Sequence, residues 1–216
     1  MKTRDRILQT SRHLFNTQGE RNITTNHIAS HLGISPGNLY YHFRNKSMIV
    51  AELFSEFEGQ MDMFFELPEQ SPVSLEHKTH YLESLLAILW EYRFLHQSLE
   101  HLLDSDPELA ERYCRFAQRS LYSTQMIYQA FADAGILRLT ARQAENLSIN
   151  VWIVLSSWMR FLVTTQGTRL NLSEPLLRRG IYQILVLEEG YVAPAYRDAV
   201  ASLCDRLYVP LEAISD

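Results

Sequence analysis

Between Ile23 and Lys46, the segment ITTNHIASHLGISPGNLYYHFRNK sets two helix starts and a helix stop in close succession, and this spacing constrains the fold more than any other feature. Thr24 can accept a hydrogen bond from the first free amides of a helix, and Ile23 and Ile28 flank that cap as a hydrophobic staple. Gly33 supplies the stop, since a helix commonly ends on a residue with positive φ. Ser35 then offers a second N-cap, and Pro36 falls on the first helical position, where its missing N–H costs nothing. Two short helices joined by a three-residue turn containing Gly form a helix-turn-helix.

The rest of the 216 residues reads as helix. Ile7, Leu8, Leu14 and Phe15 recur at helical spacing after Thr3, and Gly19 closes that first helix. After the loop RNK, Ile49, Leu53, Phe57 and Met61 form one stripe of a linker helix that runs to the breaker PEQSP. Further helices are expected over 75–101, 107–134, 141–165 with Thr140 and Gln143 as a capping box, 174–189 capped by Ser173, and 194–207 opened by Pro194. No segment sustains period-two alternation, and eight Gly and seven Pro are few for a loop-rich β protein. The expected fold class is all-α. A three-helix helix-turn-helix domain over 1–48 precedes a larger helical effector-binding and dimerisation domain over 49–216.

Several classes fall away on composition. The apolar run 149–163 is short of the roughly 18 residues of a membrane span and contains Ser156, Ser157 and Arg160, so no membrane association is expected. Residues 1–20 lack the apolar core of a secretory signal, which points to the cytoplasm. Cys114 and Cys204 stand far apart without a metal-binding context and read as reduced thiols. No GxSxG, HExxH, Walker or GxGxxG motif occurs and no Glu-x-x-His pair is present, so an enzyme and a cofactor are not expected. His77 and His80 have near-ligand spacing, but Glu76 and Lys78 around them read as a solvated helix start, and no metal is expected.

Charge divides the chain. Residues 1–50 carry seven Lys and Arg against two acids, a balance of +5, whereas the remainder carries −10. A basic head suits a polyanion such as double-stranded DNA. In the second helix of the motif, Leu39 and Phe43 lie four apart and must face Ile28, Leu32 and the first helix. The opposite side then presents Pro36, Gly37, Asn38, Tyr40, Tyr41 and His42. Gly37 permits close backbone approach, Asn38 can pair with base edges, and the hydroxyls and imidazole can donate to phosphates. Tyr40 and Tyr41 could instead be half-buried core, and His42 a helix C-terminal cap.

With these residues the segment 3–54 resembles the DNA-binding domain of TetR-family transcriptional regulators, matching the pattern IA..LG.S.G.LY.HF..K nearly position for position. The resemblance implies phosphate contacts from Thr25, Tyr40, His42 and Lys46, and base-edge or groove contacts from Asn26, Pro36, Gly37, Asn38 and Tyr41, with Ser35 at the head of the same helix. Asn38 stands where many members carry Thr or another small residue, so an operator sequence does not transfer. MKTRDRIL, GISPGNLYYHF and YRFL also resemble a subgroup that includes the polyhydroxyalkanoate regulator PhaD, which implies a link to fatty-acyl or polyester metabolism.

In the body, Trp90, Phe94, His96, Tyr113, Phe116, Tyr122, Met126, Trp152 and Trp158 are candidates for lining a pocket, although aromatics and Met at helical spacing are ordinarily core. The resemblance implies a small apolar or amphipathic effector among the middle helices. Few buried charges are expected there. The helix over 141–165 is apolar nearly all round and must be covered on several faces. By resemblance, it and the next helix would form a homodimer interface. The expected function is a repressor released from a palindromic operator by its effector. An activator of fatty-acyl or polyhydroxyalkanoate metabolism is one alternative. A helical ligand-binding adaptor is the other, but it leaves the display of PGN, YY and His42 beside Lys46 without a purpose.

Overall fold

A computed structural model describes residues 2–68, 72–166 and 172–211. The described chain is helical: α1 (Thr3–Gln18), α2 (Thr25–Leu32), α3 (Pro36–His42), α4 (Lys46–Phe64), α5 (Leu75–Glu91), α6 (Arg93–Ser105), α7 (Pro107–Asp133), α8 (Ala141–Gln166), α9 (Glu174–Glu188) and α10 (Arg197–Leu207). Among the described residues, one isolated antiparallel bridge, Leu137 to Val192, is the only β pairing. The chain divides into two compact units, Met1–Asp62 with Glu91–Phe116, and Met63–Trp90 with Ala117–Asp216. The boundary expected after residue 48 lies inside the continuous helix α4.

In the first unit the local signals act as the sequence suggests. The Thr24 hydroxyl accepts from the His27 N–H at 3.3 Å, and the staple residues Ile23 and Ile28 are buried. Gly33 takes φ +66°, and its N–H reaches Ala29 O and Ser30 O to close α2. Leu39 and Phe43 are buried with Ile7, Phe15 and Ile49, so only the far side of α3 is left for solvent.

The single helix expected over 75–101 is two helices, broken at Tyr92. The cause lies in α1. The Asn16 side-chain amide donates to Glu91 O at 2.8 Å, while its oxygen accepts from the Phe94 N–H at 3.0 Å, so one residue satisfies backbone groups that the break leaves open. Tyr92 is fully buried, and its hydroxyl accepts from Arg12 at 3.0 Å and from Gln60 at 3.1 Å. Arg12 also pairs with Glu91 at 2.7 Å, and Phe15 packs on Phe94 with ring centroids 5.3 Å apart. Helix α6 is thereby fastened to α1.

In the second unit, α8 lies along α9. Trp158 inserts against Gly180, where an added Cβ would fall 2.8 Å from the indole, and its Nε1 donates to Leu176 O at 2.8 Å. Among the described residues the buried charges of this unit are few, as expected, and two of them form a pair. Lys78, read from sequence as part of a solvated helix start, is buried and ion-paired with buried Glu188, which also accepts from the Tyr128 hydroxyl at 2.7 Å. The pairing partners are far apart along the chain, so only folding reveals them. Ser173 holds the N-cap position of α9 without a side-chain cap bond, and Pro194 opens a short 3₁₀ turn before α10 rather than α10 itself. Thr140 and Gln143 do form their capping box, at 2.8 and 3.3 Å. Neither Cys114 nor Cys204 is in a disulfide.

The 149–163 run lies within α8, and over Ala141–Thr165 that helix is long and apolar enough to cross a membrane by length and composition alone. The whole helix, not the uninterrupted run, sets that length. Only 33% of its most apolar stretch is buried within one chain.

Candidate functional site

Helix α3 is seven residues long and opens on Pro36, with the Ser35 hydroxyl accepting from the Asn38 N–H at 3.2 Å. Ser35 is thus occupied as a cap, and its contribution to the surface is to fix where α3 begins. Pro36, Gly37 and Asn38 are all exposed, as are Asn26 on α2 and both tyrosines. Tyr41 is 86% exposed, which removes the alternative that it belongs to the core. Tyr40 is 45% exposed, and its hydroxyl lies 3.3 Å from the Thr25 hydroxyl, joining two expected phosphate contacts from different helices. His42 is half-buried, with its ring edge-on to Tyr41 at 5.2 Å. The face therefore combines an exposed amide, a glycine without side chain, and hydroxyls at its rim.

Lys46 departs from the expected free charge. Its Nζ pairs with the Glu20 carboxylate at 2.7 Å and donates to Glu20 O at 3.0 Å, and the Glu20 side chain is only 2% exposed. Lys46 therefore helps hold the turn after α1 to the start of α4. Arg21 and Arg44 belong to the basic head but not to the expected site residues; both are exposed and pair with no carboxylate among the described residues. The usable signal was their position in polar loops.

The candidate pocket residues of the body do not come together as one set. Phe94 is fully buried against Phe15, and Trp158 is spent on Leu176 and Gly180 and stacked on Phe161 at 5.1 Å. Tyr122 and Met126 are exposed, at 66% and 42%, while Trp90 and Trp152 are half-buried in the second unit. The first unit gathers His96, Tyr113 and Phe116 around Phe54 and Phe57 of α4. There an apolar slot with a void of about 10 Å³ is lined by His96, Tyr113, Phe54, Phe57 and leucines of α6 and α7, with Phe116 packed on Phe54 and Phe57. Burial pushes the His96 imidazole down to about 4, so it is neutral at pH 7. Burial likewise raises the Tyr113 hydroxyl to about 12. Sequence periodicity could mark Phe54 and Phe57 only as core.

Two family models match the chain. One, described as bacterial regulatory proteins of the tetR family, covers residues 7–53, and the other, TetR, described as bacterial transcriptional repressor, covers residues 56–200. A solved TetR-family transcriptional regulator from Marinobacter aquaeolei VT8 is 49% identical and superimposes with TM-score 0.87 over 97% of this chain and 100% of its own. SmeT, solved as a complex with triclosan, shares the fold at 19% identity and TM-score 0.61, over 97% of this chain and 95% of its own. An HTH-type transcriptional regulator of Staphylococcus aureus strain MRSA252 is 27% identical over 121 residues, a match that spans 56% of this chain and only 62% of that relative.

Proposed function

The chain belongs to the TetR family of bacterial transcriptional regulators, and from that premise we propose that it is a homodimeric repressor, held on a palindromic operator until a small, largely apolar effector releases it. The single observation that carries the DNA-binding reading is the outward face of α3, where Pro36, Gly37, Asn38 and Tyr41 are exposed while Leu39 and Phe43 anchor the helix from behind. A helix presented in this way fits the major groove, with Asn38 and Asn26 toward base edges and Thr25, Tyr40 and His42 toward phosphates, while Lys46 holds the turn before α2 to the start of α4. Residues 1–48 serve that role and residues 49–216 carry the effector and dimer functions. Because DNA is its partner, the cytoplasm is its place of work.

The dimer is supported by α8 and α9. Ile149, Ile153, Phe161 and Val163 of α8 and Val186 of α9 are exposed large apolar side chains, and a second copy would cover them. A two-fold partner in turn asks for an operator with inverted half-sites. For release, the effector must bind the DNA-incompetent arrangement better than the competent one, by about 1 to 3 kcal/mol in typical systems. The route is α6, which lines the slot at His96 and is fastened to α1 through Asn16, Arg12 and Phe15. The triclosan complex of SmeT supports an apolar ligand for a body of this fold. The resemblance of MKTRDRIL, GISPGNLYYHF and YRFL to a subgroup that includes PhaD supports a narrower reading, an activator of fatty-acyl or polyhydroxyalkanoate metabolism.

Incubating the purified protein with sheared genomic DNA of its source and sequencing the retained fragments tests this function. Retained fragments sharing an inverted repeat are expected, and the adjacent genes test the metabolic reading. Retention without any shared sequence would refute an operator-specific regulator.

A further inference from the structure

Buried polar groups are nearly always hydrogen-bonded, so an exception asks for an explanation. His96 is one. Its Nε2 is enclosed and has no hydrogen-bond partner among the described residues, while the ring stands edge-on to Phe57 at 5.8 Å. The slot beside it is lined by Phe54 and Phe57 from α4, Leu99 and Leu103 from α6, and Leu109 and Tyr113 from α7. Its void of about 10 Å³ is at the lower limit for one water. A water there would have at most His96 and Tyr113 as side-chain partners, the fewest a buried water uses, because the rest of the lining is apolar. Leu99, Leu103 and Tyr113 are partly exposed, so these side chains border solvent on the outer side of the slot.

We infer that this slot takes an uncharged hydrophobe bearing one hydroxyl, of the phenol or alcohol class, whose hydroxyl bonds His96 Nε2 while its apolar body displaces Leu99 and Leu103. The inference rests on the reading of the chain as an effector-responsive regulator and specifies the effector's chemistry. Charge decides the class. No Lys or Arg lines the slot, and nearby Arg112 is already paired with Glu58. A carboxylate would enter as a desolvated, unpaired anion, whereas a hydroxyl needs only the partner that His96 offers. A neutral imidazole, as burial makes this one, can accept such a hydrogen bond.

Three matched probes test it by calorimetry: 4-propylphenol, propylbenzene and 4-propylbenzoate. The phenol should bind about tenfold tighter than propylbenzene, the worth of one well-placed hydrogen bond, and tighter than the benzoate. In ring-labelled protein it should shift the His96 imidazole resonances. His96→Leu should abolish the preference for phenol over propylbenzene while keeping propylbenzene binding, and His96→Gln should restore part of it. Equal affinities for phenol and propylbenzene, preference for the benzoate, an unmoved His96 resonance, or no binding by any probe would each overturn the inference. DNA retention, measured on the same samples, separates this failure from failure of the regulator reading, because a chain that binds its operator yet ignores all three probes contradicts only the slot.

Discussion

Single residues here carry roles that depend on what lies across the fold. Lys46 is the clearest case, because a basic residue in a polar loop reads as a phosphate contact, yet its ammonium is held by Glu20, which lies 26 positions earlier. Ser35, Gly33 and Asn38 were legible, since caps, stops and an exposed amide are local properties of a short segment. His96 was legible only as a candidate. Its neutrality is testable through pH. Buried, it resists protonation until about pH 4, whereas the unfolded chain takes up the proton near its ordinary value of 6.5. The unfolded state therefore binds more protons between those values, so the wild type loses stability relative to His96→Gln as pH falls from about 6.5 toward 4, by at most about 3 kcal/mol. Tyr113 is the other titratable group lining the slot and stays protonated throughout that range. Denaturant melts of both proteins at pH 7 and pH 4.5 check this, and a constant difference between them would show that His96 is solvated.

At the level of elements, helix existence followed from periodicity and caps, but helix continuity did not. The pattern over 75–101 is apolar on one side throughout, so nothing in it announces the break at Tyr92, which Asn16 and Arg12 stabilise from α1. The α8–α9 pair was legible as two apolar helices, though not the contact that sets their spacing. Gly180→Ala tests that contact. Helix propensity alone would favour Ala by about 1 kcal/mol. However, the new methyl would lie 2.8 Å from a buried indole pinned by its bond to Leu176 O, and such overpacking costs about 1 to 3 kcal/mol. A net fall in Tm of several degrees is expected, largely recovered by adding Trp158→Phe, and a rise in Tm would mean that Trp158 moves aside freely.

For the whole molecule, the sequence showed an apolar helix in need of cover without saying which part the chain itself covers. The structure separates Trp158, Met159 and Leu162, which are buried, from Ile149 and Ile153, which are not. Ile153 is 54% exposed within one chain, so Ile153→Glu should leave a folded protomer with normal helix content. Its solution mass should fall from about twice 25.2 kDa to one copy. A wild type already at 25.2 kDa at micromolar concentration would contradict the dimer.

In the proposed function the face of α3 reads DNA sequence, and Asn38 is where reading and mere attachment part. Once an operator has been recovered, anisotropy titrations of that duplex and of a scrambled duplex, at two salt concentrations, with wild type and Asn38→Ala, test it most directly. The variant should lose about 1 to 3 kcal/mol on the operator and almost nothing on the scrambled duplex, with the salt slope unchanged. Equal losses on both duplexes, or none on either, would contradict the assignment of this face as the reader of the operator.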